Sequence, residues 1–549
     1  MDSERIADML ISVKTGLSAI LIGAAALAMA ALDPSTAGQR WWAHIEFLAS
    51  DAMRGRQTGS KEYLKGAEYV ADQFRQIGLE AAGTNRHWFQ TVHFRVRQLN
   101  DERSSLALET DGKAQPAALG ADVILLPALD SPAEVTAPAA FVGYGLNIPE
   151  AGYDDLSQID LKGKIAVFLA SAPASITGPV RAHYQASAQR WKALREAGAV
   201  GVISIPLPTS MDIPWERMAL SRFGPRMFFA DPQMNEMHGE QMAAVWNPST
   251  ADKLFAGTPH NMAELLPLAL AGKKLPVFPL AVGVHARLAI EDSEAESPNV
   301  VGKLPGVDPQ LSGEYVIMSA HLDHIGVGAP INGDAIYNGA MDNAAGVASL
   351  IEVAREVAQN RGRLRRSVLF LAVCGEEKGE LGSQWFAAHP TVPVENIVAD
   401  VNVDMFLPIF PLHWLEVQGL NESTLGEAVR AVARAEGIQV QADKQPQRNL
   451  FIRSDQYSFV RHGIPALAFK FGYLPGGPEE AAMKEWLHTR YHAPSDDLQQ
   501  PVDKDSAARF DAVIARLIES ISRDAARPQW YPASFFRRFA AQRATALVR

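Results

Sequence analysis

Five polar side chains spread over the second half of the chain could together hold divalent metal ions. They are His321, Asp342, Glu377, Asp404 and His492. Two imidazoles and three carboxylates form a nitrogen and oxygen donor set without sulfur, which suits zinc, cobalt or manganese. A carboxylate shared by two such ions holds them roughly 3.5–4 Å apart, so that both act on one carbonyl and one water. Asp342 is the bridging candidate, because it lies just ahead of a predicted helix whose N-terminus stabilises negative charge.

Two acidic residues near these ligands fit supporting roles in hydrolysis. Glu376 and Glu377 are adjacent, so their side chains cannot both point the same way in an extended or turning segment. We assign Glu377 as the ligand and Glu376 as the general base that takes a proton from the attacking water and passes it to the leaving amine. Asp323 follows His321 by two residues and is expected to accept the second N–H of that imidazole, which would fix its tautomer.

The combination of these motifs carries the prediction, since each motif alone has an ordinary structural explanation. A Glu-Glu pair is common at a solvated loop edge, and Asp-Asn before a helix is common as a cap. A single histidine after a strand is usually a hydrogen-bonded structural residue, and His324, His389 and His462 are interpreted in this way. Three of the motifs, however, directly follow strand-like runs within one part of the chain.

These runs predict the element that positions the site. Continuous apolar segments at residues 315–318, 367–373 and 400–403 end just before His321, Glu376 and Asp404. Runs of this kind, alternating with helices, predict an α/β fold with a mostly parallel sheet and helices on both faces. Ligands in such folds gather outside the carboxyl ends of the strands. We therefore expect the polar side chains to meet at one edge of the sheet.

The length of 549 residues predicts more than one domain, because a single hydrophobic core stops growing well below this size. Between residues 123 and 290 the pattern changes to short apolar runs with Pro-rich connections, which favours an inserted, smaller, β-rich α/β domain. The predicted organisation is a signal peptide or N-terminal anchor (1–31), a main domain in two parts (32–122 and 291–525), the inserted domain (123–290) and a C-terminal tail (526–549).

Composition excludes several functional classes. The net charge of -11 offers no basic excess for a phosphate backbone, so nucleic acid is not an expected partner. Cys374 is the only cysteine, which excludes internal disulfides and thiolate clusters.

The N-terminus carries an apolar run. Lys14 precedes this run at residues 17–31, and a small-x-small site lies near its end at 28–30, which predicts a signal peptide and export to the periplasm or medium. The alternatives are an uncleaved anchor, the one case in which a membrane becomes a partner, and a buried Ala-rich helix.

Five short stretches resemble a known family, the M28 zinc peptidases, which include leucyl-type aminopeptidases. They are AHLDHIG at 320–326, MDNAAG at 341–346, GEEKGELGS at 375–383, NVDM at 402–405 and YHAPSD at 491–496. The resemblance covers about residues 40–100 and 297–522. It implies two zinc ions per chain, with His321 and Asp404 on one, Glu377 and His492 on the other, and Asp342 bridging them. It also agrees with Glu376 as the base and implies peptide substrates.

The inserted region resembles a protease-associated domain, through FVGYG at 141–145, DLKGKIAV at 160–167 and AGAVG at 197–201. In relatives such an insert lies near the active-site cleft and restricts access. A plain spacer domain is the alternative interpretation.

Two further segments bear on substrate binding. The apolar segment FLPIFP at 406–411 stands where relatives place a glycine and a polar residue, and we hypothesise that Phe406 helps to form an apolar wall for the residue preceding the scissile bond. Asp455 and Tyr457 lie in a second stretch that resembles the family near its substrate. They are candidates for contact with the substrate amine or the developing oxyanion, and structural packing is the alternative.

Together these observations predict a zinc-dependent aminopeptidase, an exopeptidase that uses a metal-bridging hydroxide and the base Glu376. A carboxypeptidase or another amide hydrolase on the same di-zinc centre is an alternative, because the ligands do not define which end of the peptide is recognised. Two more distant possibilities are a non-catalytic binding protein and a cyclising acyltransferase with a single zinc ion. A non-catalytic protein would be expected to lack a ligand or the base, whereas all are present here.

Overall fold

A computed structural model describes residues 34–176 and 178–548. The predicted signal peptide or anchor at residues 1–31 lies outside the described residues. Within them, no helix is both long enough and apolar enough to cross a membrane.

The helices form mainly in the main domain. In chain order they are α1 (Pro34–Leu48), α2 (Lys61–Ile77), α3 (Gly178–Gln185), α4 (Ser187–Glu196), α5 (Trp215–Met218), α6 (Met262–Leu270), α7 (Ala345–Gln359), α8 (Leu381–Ala388), α9 (Leu425–Ala435), α10 (Gln456–Arg461), α11 (Pro478–Thr489), α12 (Lys504–Arg523) and α13 (Arg537–Val548).

The strands belong mostly to two large sheets. In chain order they are β1 (Glu80–Ala81), β2 (Phe89–Leu99), β3 (Ser105–Thr110), β4 (Lys113–Ala117), β5 (Val123–Leu126), β6 (Glu134–Val142), β7 (Asn147–Ile148), β8 (Tyr153–Asp154), β9 (Ile165–Leu169), β10 (Gly201–Ile205), β11 (Arg226–Phe229), β12 (Met242–Trp246), β13 (Val277–Arg287), β14 (Ile290–Leu304), β15 (Tyr315–His321), β16 (Gly326–Ile331), β17 (Asp334–Tyr337), β18 (Ser367–Val373), β19 (Ile397–Asn402), β20 (Trp414–Gln418), β21 (Gln439–Ala442) and β22 (Ala466–Gly472).

The first sheet has the order β11-β2-β14-β18-β15-β19-β22-β20-β21, with β1 paired to β14. Its centre, β18-β15-β19-β22, is parallel. On one side, β14 pairs antiparallel with β18 and with β2, and β2 pairs antiparallel with β11. On the other side, β20 pairs antiparallel with β22 and parallel with the edge strand β21. The predicted α/β fold is confirmed, and its parallel character holds for the strands that carry the candidate ligands.

Helices cover both faces of this sheet, as predicted. Val316 and Met318 of β15 point into the core that contains residues of α1, α2, α7 and α12. The intervening Ile317 points into the opposite core with Phe386 of α8 and Phe459 of α10. Because successive side chains of a strand alternate between faces, a strand covered on both sides must be apolar throughout. This is why β15 and β18 read as continuous hydrophobic runs.

The second sheet, β4-β3-β13-β6-β9-β10-β12-β5, has its own hydrophobic core. It corrects the predicted boundary at residue 123, because β3 and β4 already belong to it, and Leu106 and Leu108 pack into its core. A second correction concerns β11, which lies within the predicted insert but pairs with β2 of the first sheet. The insert therefore leaves the main domain after β2, returns before β14, and contributes one edge strand to it.

The two ends of the insert lie side by side. β2 and β14 pair antiparallel along their whole length, and Leu99 is the register partner of Ile290. The 526–549 segment, predicted as a tail, carries α13, and Trp530, Phe536 and Phe539 pack there with Ala182 of α3 and Tyr457 of α10. This aromatic cluster joins the insert to the main domain.

Candidate metal centre

The predicted ligands converge at the carboxyl edge of the parallel strands. His321 is the last residue of β15, Glu377 lies in the turn after β18, and Asp404 follows β19 by two residues. β15 lies between β18 and β19, so these three side chains start from neighbouring positions. Asp342 comes from the loop before α7, and His492 comes from the loop after α11.

The first group of donors consists of His321, Asp342 and Asp404. Nε2 of His321 lies 3.4 Å from Oδ1 of Asp342 and 3.3 Å from Oδ1 of Asp404. His321 is almost fully buried, and its Nδ1 lies 3.1 Å from the backbone carbonyl oxygen of Asp323. If Nδ1 carries the proton, it donates to that carbonyl and leaves Nε2 free to bind an ion.

The second group uses the other oxygen of Asp342. Nε2 of His492 lies 3.3 Å from Oδ2 of Asp342 and 3.3 Å from Oε2 of Glu377. Asp342 thus presents one oxygen to each histidine, which is the arrangement that a bridging carboxylate requires.

These separations fit tetrahedral zinc. With bonds of roughly 2.0–2.1 Å to nitrogen and oxygen, neighbouring donors of a tetrahedron lie roughly 3.3–3.4 Å apart. The four donor distances of 3.3–3.4 Å around His321 and His492 have this value. Direct hydrogen bonds between the same atoms would be shorter, about 2.7–2.9 Å. The donor set therefore fits two zinc ions that share Asp342.

His324 also lies in the cluster, although a structural role was predicted for it from the sequence. Its Nδ1 is 2.7 Å from Oε1 of Glu377 and 3.8 Å from Oδ2 of Asp342, and these three residues are close enough to form a donor group. The 2.7 Å separation is that of a close ion pair without hydrogen-bond geometry, and it is too short for two ligands of one zinc ion. We therefore interpret His324 as the residue that orients Glu377, with His492 on the ion.

Asp323 has hydrogen-bond partners other than the predicted one. Its Oδ1 is 3.9 Å from Nδ1 of His321, beyond hydrogen-bond distance. The carboxylate instead accepts hydrogen bonds from the backbone N–H of Glu376 (3.1 Å), the backbone N–H of Glu377 (3.4 Å) and the hydroxyl of Thr58 (2.9 Å). The tight turn after β18 brings these N–H groups closer to the carboxylate than the imidazole. Asp323 therefore positions the Glu376-Glu377 turn.

The sequence did not single out three residues that hold the ligand loops. Asp496 accepts hydrogen bonds from the backbone N–H groups of Met341 (2.9 Å) and Asp342 (3.0 Å). Arg56 is fully buried and donates to the carbonyls of Leu322, Asn338 and Gly339. Thr58 accepts from the N–H of Gly375 at 3.0 Å while it donates to Asp323. Asp496 lies in the motif that carries His492, which is the one signal that could have found it.

Glu376 has no ligand-like contact and faces the cleft. Burial raises the pKa of its carboxyl well above the ordinary value; His321 lowers it, and Asp404 and Glu377 raise it further. For Glu377, burial also raises the pKa, but His492 and His324 lower it well below the ordinary value. The two neighbours therefore differ in the way that a proton carrier and a permanently ionised ligand must differ.

A cleft of about 550 Å³ lies in front of this cluster. Glu376, His492 and Tyr457 line it from the main domain, and Phe229 and Glu236 line it from the 123–290 segment. The hydroxyl of Tyr457 lies 2.7 Å from Nδ1 of His183 on α3. Tyr457 thus lies at the cleft, as the sequence suggests, and is also hydrogen-bonded to His183 of the insert.

Phe406 and Asp455, two of the predicted substrate contacts, do not line the cleft. Phe406 is fully buried, stacks on Phe510 of α12 with ring centroids 4.3 Å apart, and lines neither the cleft nor the smaller cavity described below. The left-handed backbone of Met405 and Leu407 turns the segment so that these two neighbours reach that cavity instead. Asp455 is fully buried behind the site, and burial raises its pKa to about 7.

An α/β domain that gathers two histidines and several carboxylates at the carboxyl ends of parallel strands defines the class of metal-dependent hydrolases. Residues 299–518 match the family model described as Peptidase family M28. The chain therefore carries an M28 peptidase domain and is a metallopeptidase, as the motifs predict.

Three solved structures are similar to this chain. An aminopeptidase from Aneurinibacillus sp. strain AM-1 is 20% identical, with 90% of this chain and 94% of that chain covered and a TM-score of 0.52. A zinc aminopeptidase from Bacillus subtilis is 18% identical, with 89% and 96% covered and a TM-score of 0.47. A Peptidase M28 precursor from Shewanella amazonensis SB2B is 16% identical, with 91% and 99% covered and a TM-score of 0.44. The first of these shows that the α/β fold extends over most of the chain.

Proposed function

We propose that this metallopeptidase is a zinc-dependent aminopeptidase that removes N-terminal residues from peptides. The observation that carries the proposal is the position of Glu376, an acidic side chain free of ligand contacts, next to two donor groups with the spacing of zinc ligands and at the floor of an open cleft. The family model supports peptide hydrolysis, and the Aneurinibacillus protein with the same fold is described as an aminopeptidase.

The donors divide between two zinc ions. His321 and Asp404 would hold one, Glu377 and His492 the other, and Asp342 would contribute one oxygen to each. When bound, the ions supply Lewis acidity that polarises the scissile carbonyl and brings the pKa of water towards about 7.

The protein side chains then handle the proton. A carboxylate oxygen of Glu376 accepts the proton of the attacking water and donates it to the nitrogen of the leaving amine. Asp323 keeps Glu376 at the required place, because it accepts the backbone N–H groups of Glu376 and Glu377. Buried Arg56 and Asp496 hold the backbone that carries the ligands, so that these groups do not need to reorganise during the reaction.

Charge at the cleft supports recognition of the amino terminus. Six carboxylates surround the site, namely Asp323, Asp342, Glu376, Glu377, Asp404 and Asp455, and two divalent cations neutralise only part of their charge. The guanidinium groups at the cleft are at least partly neutralised, since Arg461 pairs with Glu236 and Arg453 shares Asp212 with Arg448. A substrate ammonium group therefore fits this environment better than a substrate carboxylate.

Blocked peptides test the proposal. The zinc-loaded enzyme is given the same pentapeptide with a free N-terminus, with an acetylated N-terminus and with an amidated C-terminus. We expect the first and third to be shortened from the N-terminus and the acetylated peptide to remain intact. Cleavage of the acetylated peptide from its C-terminus would identify a carboxypeptidase. Absence of cleavage in all three, in enzyme that holds its metal, would refute peptidase activity at a terminus.

We also propose that the protein is exported, on the basis of the apolar run at residues 17–31. N-terminal sequencing of protein from the periplasm or medium tests this, and a mature chain that still begins with residues 1–31 and stays with the membrane would identify an anchor. The likeness of the inserted unit to a protease-associated domain stays a prediction.

A further inference from the structure

A second, smaller cavity of about 90 Å³ opens beside Asp404. Arg453 and Tyr491 line both this cavity and the main cleft, so the two spaces are neighbours. Pockets for whole small ligands are several times larger, about 300–1,000 Å³. The small cavity therefore has room for one amino-acid side chain from a substrate whose backbone lies in the cleft.

The cavity has a lining of mixed chemistry. Leu407, Met483 and Leu487 contribute apolar surface, and Glu416 of β20 and Lys470 of β22 contribute charged groups. Glu416 and Lys470 are register partners in an antiparallel pair, so they project from the same face of the sheet. A long side chain that enters the cavity can thus pack its methylene groups against the walls and bring its tip to Lys470.

Lys470 lacks a counter-ion within the described residues. Its Nζ approaches only the carbonyl oxygens of Met405 (3.3 Å) and Asp404 (3.5 Å), and no carboxylate oxygen comes within 4.0 Å of it in residues 34–176 and 178–548. A partly buried ammonium group with two long contacts to carbonyls can accept a stronger partner.

The other charges of the cavity leave this ammonium group uncompensated. Asp212, from the insert, pairs with both Arg448 and Arg453, so that one carboxylate serves two guanidinium groups. Burial raises the pKa of Glu416 to about 7, which reduces its negative charge at neutral pH. Asp404 also lines the cavity and attracts the ammonium group of Lys470, but its carboxylate belongs to the proposed metal site. The remaining charges of the cavity are therefore positive on balance.

We propose that this cavity receives the side chain of the N-terminal substrate residue and that Lys470 pairs with a carboxylate at its tip, so that the enzyme preferentially releases N-terminal glutamate and aspartate. This inference rests on the proposed aminopeptidase function. It replaces the apolar wall that the sequence suggests at Phe406 with a cavity of mixed chemistry that Leu407 lines.

The first test compares aminoacyl anilides of glutamate, glutamine, leucine and lysine with the zinc-loaded wild-type enzyme. Glutamate and glutamine have nearly the same shape, so their ratio isolates the charge. We expect kcat/KM for the glutamyl substrate to exceed that for the glutaminyl substrate by about 10- to 100-fold, the range of one charge-assisted hydrogen bond. Turnover of leucyl but no preference for glutamyl over glutaminyl would overturn the inference and leave the aminopeptidase proposal intact.

The second test replaces the cation. Lys470→Met keeps the length of the side chain and removes its charge, and we expect a loss of about 10- to 100-fold on the glutamyl substrate with little change on the leucyl substrate. Lys470→Glu is expected to shift the preference to the lysyl substrate. Lys484→Met is the matched control, because Lys484 is exposed on α11, next to Met483, and pairs only with Glu480.

The third test measures binding without turnover. In the zinc-loaded Glu376→Gln background, calorimetry should show tighter binding of the dipeptide Glu-Ala than of Gln-Ala, and Lys470→Met should abolish the difference. If the wild type instead prefers lysyl substrates and Glu416→Gln removes that preference, Glu416 is the recognition group and our inference is wrong. If no aminoacyl substrate is turned over by metal-loaded enzyme, the proposed function itself fails.

Discussion

Glu376 and Glu377 are neighbours in the chain but have different contacts in the fold. Glu377 lies 2.7 Å from His324 and 3.3 Å from His492, whereas Glu376 faces the cleft. This difference gives each residue a distinct and separable role, one in proton transfer and one in metal binding.

Glu376→Gln should leave the metal content unchanged and lower kcat by about 100- to 10,000-fold, the usual contribution of a general acid-base group. The amide has the shape of the carboxylate but cannot accept the proton. Zinc content by elemental analysis and kcat on a free N-terminal peptide are measured on the same sample. Glu377→Gln is the matched control and should lose zinc; normal turnover of Glu376→Gln would remove Glu376 from the mechanism.

His492 and His324 are expected to differ in the same way. His492→Ala removes a donor at 3.3 Å from both Asp342 and Glu377, and we expect about one zinc ion per chain. His324→Ala removes the partner of Glu377, and we expect two ions with roughly 10- to 100-fold weaker binding, as for other residues that orient a ligand. Competition with a zinc chelator measures both. The reverse result would make His324 the ligand.

The sequence predicts which residues meet at the site better than it predicts what each contacts. Strand ends and motif spacing are enough to bring His321, Glu377 and Asp404 together. The partner of Asp323 depends instead on the turn after β18, which places two backbone N–H groups at its carboxylate. Phe406 faces the core because of the positive φ of its two neighbours, a feature that residue types alone do not show.

At the scale of elements, a buried carboxylate joins α1 to α7. Glu352 of α7 accepts hydrogen bonds from Arg40 of α1 (3.0 Å) and from Arg355 (3.0 Å), and lies 3.2 Å from Nε2 of His44. Burial raises the pKa of Glu352, but His44 and Arg355 lower it to about 2, from an ordinary value of 4.5. This contact fixes the helix that starts beside Asp342.

Glu352→Gln should therefore destabilise the protein by about 3–4 kcal/mol at neutral pH, since the pKa falls from 4.5 to about 2 and one pKa unit corresponds to about 1.4 kcal/mol. The folded-state pKa is lowered, so the stabilisation is present above pH 4.5 and is lost as the pH falls from 4.5 to about 2. The difference in unfolding free energy between wild type and variant, measured against pH by denaturant titration, should shrink in this range.

Glu356→Gln, one turn further along α7, is the matched control of opposite sign. Burial raises the pKa of Glu356, Arg516 lowers it, and Glu519 and Glu352 raise it. Because the net shift is upward, ionisation of Glu356 opposes folding at neutral pH, and the amide should preserve or increase stability there. Equal losses in both variants at all pH values would show that the loss at Glu352 is due to packing and not to charge.

The elements of the first sheet are largely predictable, because β15, β18 and β19 are rich in apolar residues and are each followed by a polar motif. The boundaries of the insert are harder to predict. β3 alternates between buried and more exposed residues, as a strand with one face towards solvent does, and its sequence does not indicate which sheet it joins. β11 pairs with β2 although more than a hundred residues separate them, and short-range patterns carry no information on such pairing.

For the whole molecule, the ligands tie together separate parts of the chain. They come from the ends of β15 and β19, the turn after β18, the loop before α7 and the loop after α11. Ions that bind only the folded state stabilise it by about 4 kcal/mol each when free zinc exceeds the dissociation constant about 1,000-fold. We therefore expect chelation to lower the Tm by several degrees and added zinc to restore it.

Calorimetric unfolding with and without chelator measures this shift. His492→Ala serves as the comparison, because it should retain only the part of the shift that the first ion provides. An unchanged Tm on removal of both ions would show that zinc does not stabilise the folded protein, and that it contributes to catalysis alone.

The adjacent positions of Leu99 and Ile290 also bear on how such a chain could have arisen. Residues 100–289 leave and re-enter the main domain at two hydrogen-bonded neighbours, and the entropy of closing a loop grows only slowly with its length. A host whose loop already closes at this point can therefore acquire, exchange or lose a folded module there, and its own sheet gains or loses only the edge strand β11. This junction therefore suits the exchange of gene segments that encode different inserted domains next to the same hydrolytic centre.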